Sequence, residues 1–498
     1  MKKLNFENRK EDYLINTKIT QYLENGDKDN TSVENVLCKV YLPIKVIDSI
    51  SLAFHLTDEQ YRIFDHDKLW RCAMESIENN FPEHYVPHHT TKISAENVYI
   101  HHLNNTSWSF AISESQMIAE PIDLKIEHFR SPDGAEVSKT FGRFWLTPNK
   151  LISPGQSRST SYTGDVKVKT VWKVDFTLEN SLNLKFSKRH RYRDGEDDEK
   201  ISWSELVADY ELEGKAQNFE DVYSSLGDLD DLLRISSLAQ RHSCVCVGFD
   251  IVNTEGYILD FYRRNISIPS SKRNDHDELI DIQHIKEFLN TAYHKFIEIE
   301  RNDLIRQAIN YTIPREGRTV ENSFISLYSA LETLILYFRK NANLEFVFTE
   351  EENKEWKHFD RIVRQLIKRH PLLKNDKTKR KRLYNNIPAL KRISFRAAFE
   401  ECFKFYDVDI TDLWAVTGNN KGWSLSTIRN KLVHGEHFDS TRRHSIVAAK
   451  SHLQWIVERL LLKILGWDIS KSNVSSEYLA RVMHDYKDWK SDQKLLSE

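Results

Sequence analysis

At 498 residues, with 40% hydrophobic and 11% aromatic residues and only 15 Gly and 11 Pro, the chain excludes a disordered or fibrous protein and predicts two large packed domains. A formal net charge of −3 and an isoelectric point near 6.7 exclude whole-molecule attraction to nucleic acid, so any phosphate-binding surface must be local. The 5 cysteines (Cys38, Cys72, Cys244, Cys246, Cys402) match neither a disulfide framework nor a zinc-ligand spacing, which predicts a reducing, cytoplasmic setting.

The first ten residues are basic but carry no apolar stretch behind them, so no secretory signal is expected. From about residue 30 to 270, apolar residues alternate with polar ones between turn signals, the mark of half-buried strands. Val166 to Phe176, followed by Leu182 to Phe186, predicts a hairpin turning at Glu179-Asn-Ser181. Further turns are expected at Ser131-Pro-Asp-Gly134, Thr147-Pro-Asn149, Ser153-Pro-Gly155 and Asp194-Gly195. Short helices are expected over Asp67 to Glu78 and Asn218 to Leu233. Within this half His84, His88 and His89 resemble metal ligands, but Pro87 prevents a helix from gathering them, and they read as loop histidines. Lys188 to Arg193 adjoins the acidic turn 194–199 and reads as a charged hairpin end. Cys244 and Cys246 fall on one face of an apolar strand, as core residues.

The polar stretch Ser267-Ile-Pro-Ser-Ser-Lys-Arg-Asn-Asp275 marks a boundary between domains at 1–275 and 276–498. Beyond it the period becomes helical. Ile285 to Ile299, Phe324 to Phe338 and Ile446 to Ile464 each keep one apolar stripe, with Gly466 as a stop, and a last amphipathic segment spans Ser475 to Trp489. The most apolar run, Leu460 to Trp467, is interrupted by Lys463 and is far shorter than the roughly 20 residues of a membrane span, so no membrane association is expected. The fold class is therefore α+β: a β-rich, sandwich- or barrel-like half followed by an all-α bundle. No Gly-rich phosphate loop is present, and no cofactor or metal is expected.

Two constellations carry chemistry. The densest basic stretch runs from Arg361 to Arg382 and contains Lys377, Lys379, Arg380, Lys381 and Arg382, opposed by Asp376; it reads either as an RNA phosphate track or as a solvated face. The second is Arg429-Asn-Lys-Leu-Val-His434-Gly435, on a helix capped by Ser424 or Ser426. At about 100° per residue, Asn430 and His434 share a face, with Arg429 on its flank. His is the side chain able to move protons near neutral pH, Arg offers a bidentate cation to a phosphate, and Asn can position either. Gly435 is expected to permit a close approach of backbone or substrate. A bare Arg-x4-His pair is a weak signal, and surface residues of an amphipathic helix would produce it too; Asn after Arg and a surrounding helical domain sharpen it.

This Arg-Asn-x-x-x-His core resembles the HEPN superfamily, in particular the Apea-like HEPN proteins of bacterial anti-phage defence. The resemblance covers about residues 281–498, and Tyr328-Ser-Ala-Leu-Glu-Thr-Leu334 resembles the family's preceding helix. It implies a dimerising helical bundle that cuts single-stranded RNA, tRNA being one possibility, without metal, through attack of a 2′-hydroxyl on the adjacent phosphate. Arg429, Asn430 and His434 would carry the reaction; Glu332, which flanks the apolar stripe of its own helix, is by that position a further candidate, to orient Arg429. It further implies a toxin of abortive infection, restrained through its N-terminal half and released by a phage-derived trigger. The alternatives are a non-catalytic HEPN scaffold that binds RNA, nucleotide or a partner protein, and a carbohydrate- or peptide-binding β-rich receptor with a helical tail.

Overall fold

The computed structural model describes residues 9–497 except 23–27, 44–48, 64–70, 79–89, 107–113, 130–139, 161–165, 173–174, 178–182, 195–199, 212–218, 254–257, 267–277, 316, 345, 348–350, 419–421, 437 and 440. The expected turns at 131–134 and 179–181, His84, His88, His89 and the boundary stretch 267–275 lie outside the described residues. The chain divides into two compact units, one of residues 1–237 and 243–270, the other of residues 238–242 and 271–498. The class is α+β, a strand-built first unit and a helical second one.

In the first unit, strands β1 (Arg9–Tyr22), β2 (Lys28–Pro43), β3 (Ser51–Thr57), β4 (Arg71–Glu78), β5 (Thr90–Thr106) and β6 (Glu114–Pro121) pair in the order β5-β4-β1-β2-β3-β6. Because β6 also pairs with β5, the six close into an antiparallel ring. A short helix, α1 (Asp58–Ile63), follows β3. The alternation in sequence is what fills the ring: Ile15, Ile19, Val36, Cys38, Leu52, Phe54, Met74, Val98 and Met117 all belong to one buried cluster. Several register shifts interrupt the ring's ladders, two of them opposite Thr17/Ile19 and Cys72/Met74. Asn35 and Asn97 adopt left-handed φ values of 59° and 55° there, a region Asn enters more readily than most residues.

The length of β5 lets its first residues pair with β7 (Asp123–Phe129), from which the sheet continues. With β8 (Thr140–Leu146), β11 (Asp175–Thr177), β12 (Asn183–Asp194), β13 (Lys200–Glu211), β14 (Cys246–Asn253) and β15 (Ile258–Arg264), the order outward is β7-β15-β14-β8-β13-β12-β11. The remaining strands, β9 (Gly155–Thr160) and β10 (Val166–Trp172), pair with each other. Helices α2 (Phe219–Ser224) and α3 (Leu226–Gln240) attach to this arm through Phe219 against Phe249 (5.2 Å between ring centroids), Asp230 with Arg264 (2.7 Å) and Asn149 with Ser236 (3.0 Å).

Four local expectations change. Arg71–Glu78 is a strand, because the ring buries Cys72 and Met74 on its inner side and this outweighs the helical leaning of Ala, Met and Glu. The run from Val166 splits, since β10 pairs back onto β9 and only β11 forms the hairpin with β12. The helical stretch from Asn218 breaks at Ser225 into α2 and α3. Lys188 to Arg193 lies within β12, which forms a hairpin with β13, and Cys244 is buried just before β14 rather than in it.

The second unit holds α4 (Ile285–Glu298), α5 (Asp303–Thr312), α6 (Val320–Asn341), α7 (Asn353–Arg369), α8 (Lys377–Asn386), α9 (Phe395–Phe405), α10 (Leu425–Val433), α11 (Arg443–Ile464), α12 (Ser476–Val482) and α13 (Asp485–Ser497). α11 is central: α5, α6 and α13 pack on it, and even its polar His452, Gln454, Glu458 and Arg459 are buried. Burying those groups is tolerable only because each is hydrogen-bonded. Glu458 takes a bidentate pair from Arg241 (2.6 and 2.7 Å), and Arg459 donates to Asp412, Asp409, Val474 and Ser476. The expected segment Ser475 to Trp489 is two helices parted at Met483, which lets α13 turn onto α11, where His452 reaches the Asp485 carbonyl.

His452 accepts from the Trp414 amide at Nδ1 (3.2 Å) and faces the Asp485 carbonyl through Nε2 (3.2 Å), the partners of a neutral ring. Burial outweighs those contacts and pushes its pKa down to about 4. A depressed histidine costs stability as pH falls from the unfolded value near 6.5 toward 4, because the unfolded chain then binds the proton and the folded one does not. Urea unfolding at pH 5.5 should therefore show about 1.4 kcal/mol less stability than at pH 7.5 from this residue. His452→Gln, which can make both hydrogen bonds without titrating, should flatten that interval; an unchanged pH profile would refute the assignment.

Candidate functional site

α10 is a short helix held at both ends and along one face. The Ser424 side chain accepts from the Thr427 amide (3.3 Å) as N-cap, while Leu425 and Ile428 are wholly buried and anchor the helix, which packs on α6. Ser426 does something else. Its hydroxyl donates to the Val416 carbonyl (2.6 Å) and accepts from the Tyr328 hydroxyl of α6 (2.7 Å), pinning α10 to the bundle. At the far end His434 is the C-cap, and the Gly435 and Glu436 amides bond back to the Leu432 and Lys431 carbonyls. Gly435 has φ +80° and open space where a Cβ would be, so glycine is required there by backbone conformation and not by the close approach expected from sequence.

The sequence places Arg429 and Asn430 next to each other with His434 about one turn beyond Asn430, and the bundle brings Glu332 of α6 to Arg429. Arg429 Nη2 lies 3.4 Å from Glu332 Oε1, its Nη1 lies 3.3 Å from Asn430 Oδ1, and its guanidinium carbon sits 5.7 Å from the centre of the Tyr328 ring. Among the described residues Arg429 has no other partner. Tyr328 is buried, and burial together with the Glu332 charge raises its hydroxyl pKa against the opposing Ser426 and Arg429 contacts, so it remains a neutral hydrogen-bond donor. Asn430 and His434 are exposed, and no described residue hydrogen-bonds the His434 ring. Lys431 is tied back by Glu436 (2.6 Å) and lies over Trp423 (4.2 Å).

The result is a planar cation in contact with an amide, a carboxylate and a ring, with an exposed imidazole five residues on at the helix C-cap. Such an arrangement can donate N–H hydrogen bonds from Arg429 to a phosphate oxygen and offer His434 as a proton carrier. Sequence reasoning missed the Tyr328 to Ser426 contact, which joins residues 98 apart in the chain with no local signal.

The basic stretch lies on α8, which buries none of its side chains. Its five cations differ. Lys379 pairs with Asp376 (3.4 Å), and Arg380 donates to the Leu373 (3.0 Å) and Lys374 carbonyls, a structural role closing the turn before α8. Lys377, Lys381 and Arg382 are exposed and have no partner among the described residues.

All five cysteines are buried, and burial raises the Cys72, Cys246 and Cys402 thiols to about 12, which disfavours the nucleophilic thiolate. Among the described residues no group of three or more His, Cys, Asp or Glu is arranged to hold a metal, and no helix is long and apolar enough to cross a membrane. No family model, no curated protein and no solved structure matches the chain.

Proposed function

We propose that the helical unit is a HEPN-type, metal-independent endoribonuclease acting in anti-phage defence, with the strand-built unit sensing a trigger or positioning substrate. The observation that carries this reading is Arg429, in contact with Glu332, Asn430 and the Tyr328 ring, five residues before an exposed His434 at the end of the same helix. His434 moves a proton as the RNA 2′-hydroxyl attacks the adjacent phosphorus, Arg429 stabilises the crowded phosphate oxygens, and Asn430 and Glu332 orient Arg429. The Glu332 pair is long and about two-fifths exposed on the carboxylate side, so it holds Arg429 weakly and yields to a phosphate. One active set supplies one imidazole, whereas removing and delivering protons on opposite sides of phosphorus is met by two sets across a two-fold axis, hence a homodimer. The setting is cytoplasmic and the substrate RNA, with tRNA one class to test.

Purified protein incubated with total RNA in EDTA tests the reading: cleavage leaving 2′,3′-cyclic phosphate and 5′-hydroxyl ends supports it. A non-catalytic RNA- or partner-binding scaffold is the rival, favoured by Arg429 already having a carboxylate neighbour. Intact RNA would select it.

RNA contact through α8 is separable from chemistry. Replacing Lys377, Lys381 and Arg382 with Ala, while sparing Arg380 for its structural role, should reduce the slope of log K against log salt by about 0.7 per lost phosphate contact. An unchanged slope would return α8 to a solvated face.

A further inference from the structure

The junction of α5 and α6 holds a second constellation that the ribonuclease reading does not use. There α5, loop residues 313–315 and 318, the first two turns of α6 and the middle of α11 border an open cleft of about 70 Å³, on which Arg315 and Arg318 are exposed. Arg315 and Arg318 from the loop and Lys450 from α11 line it, together with Tyr311, Ser323 and Ser326. No carboxylate is among its described lining residues.

One of its cations, Arg318, is held in place. Ser326 donates its hydroxyl proton to the Tyr311 carbonyl (3.0 Å) and accepts from Arg318 Nη1 (2.9 Å), which fixes that guanidinium on the wall and leaves its other N–H groups available. Arg315 has no partner among the described residues. The nearest carboxylate along α11 beyond the lining Gln454 is Glu458, already neutralised by Arg241 (2.6 and 2.7 Å), so it does not oppose an anion. Three cations from two elements suit a phosphate monoester or pyrophosphate, of charge about −2 or more, better than a singly charged carboxylate.

This cleft is separate from the Arg429 site. At about 100° per residue, Ser323, Ser326 and Leu327 share one side of α6, whereas Tyr328 and Glu332 face the other. We propose that it is a phosphate-binding site, taking the phosphates of a nucleotide or of an RNA end, independent of the Arg429 to His434 chemistry.

Calorimetric titration of the full chain with sodium pyrophosphate at constant ionic strength tests this, with sodium acetate as control. Pyrophosphate should bind and acetate should not. Arg315→Gln with Arg318→Gln should weaken binding about tenfold or more, the usual effect of losing charge-assisted hydrogen bonds, and Lys450→Met should weaken it as well. Arg429→Ala should bind pyrophosphate like the wild type, whatever becomes of RNA cleavage. Adenosine triphosphate compared with 5′-phosphorylated and 5′-hydroxyl oligoribonucleotides then separates the sources: preference for the nucleotide assigns a free ligand, preference for the 5′-phosphorylated oligonucleotide an RNA end. The proposal is overturned if pyrophosphate does not bind, if acetate binds equally, if the double variant keeps wild-type affinity, or if Arg429→Ala alone removes binding.

Discussion

Replacing His434 with Ala is expected to lower RNA cleavage by about 10²–10⁴, the usual cost of losing a proton-transfer group, while leaving the fold intact. The fold is spared because the side chain is exposed and no described residue bonds its ring, and the C-cap is made by main-chain amides that Ala retains. In a homodimer both copies are lost together, which places the effect toward the upper end. Arg429→Ala should be nearly as severe. Arg429→Lys separates charge from geometry: it keeps the cation but not the planar fork that meets Asn430 and Glu332, and so should remain largely inactive. Circular dichroism and RNA-end sequencing read the two effects separately, and wild-type cleavage by His434→Ala would sink the mechanism.

Arg459→Met should destabilise the helical unit by about 3–5 kcal/mol, the cost of stripping one partner from a buried, hydrogen-bonded charge. Arg459 is 2% exposed, and its N–H groups meet Asp412 (2.7 and 2.8 Å) and the Asp409 (2.8 Å) and Val474 (2.8 Å) carbonyls. Methionine fills much of the volume and satisfies none of them. Burial alone would raise the Asp412 carboxyl, but hydrogen bonds from Arg459, Tyr486 and Ser476 hold it down at about 2. A depressed carboxylate contributes stability that is present above its unfolded value near 3.8 and lost as pH falls through about 2. The variant should therefore lose both stability at neutral pH and the wild-type fall across that acid interval, as read by urea unfolding. A variant within about 1 kcal/mol of wild type would show that the network is replaceable.

The amino-acid sequence by itself determined the change from alternating to helical periodicity, because burial on one face of a strand or helix is written in neighbouring residues. It likewise narrowed the helix cap to Ser424 or Ser426 and put Arg429, Asn430 and His434 at one helix end, features of a few consecutive positions, whereas the choice of Ser424 and the positive φ at Gly435 came from the fold. Only the tertiary structure decided which strands meet: closing the ring pairs β3 with β6 and β5 with β6, and the ring's burial demand turned Arg71–Glu78 into a strand against its local helical leaning. The same holds for side chains with two possible duties. Arg380 read as a phosphate contact until the fold aimed it at the Leu373 carbonyl, and Glu332 became the neighbour of Arg429 only when α6 and α10 packed together. Local periodicity depends on residues a few positions apart, whereas strand closure and the bracing of a charge depend on residues separated by tens of positions, whose meeting is set by how the whole core packs.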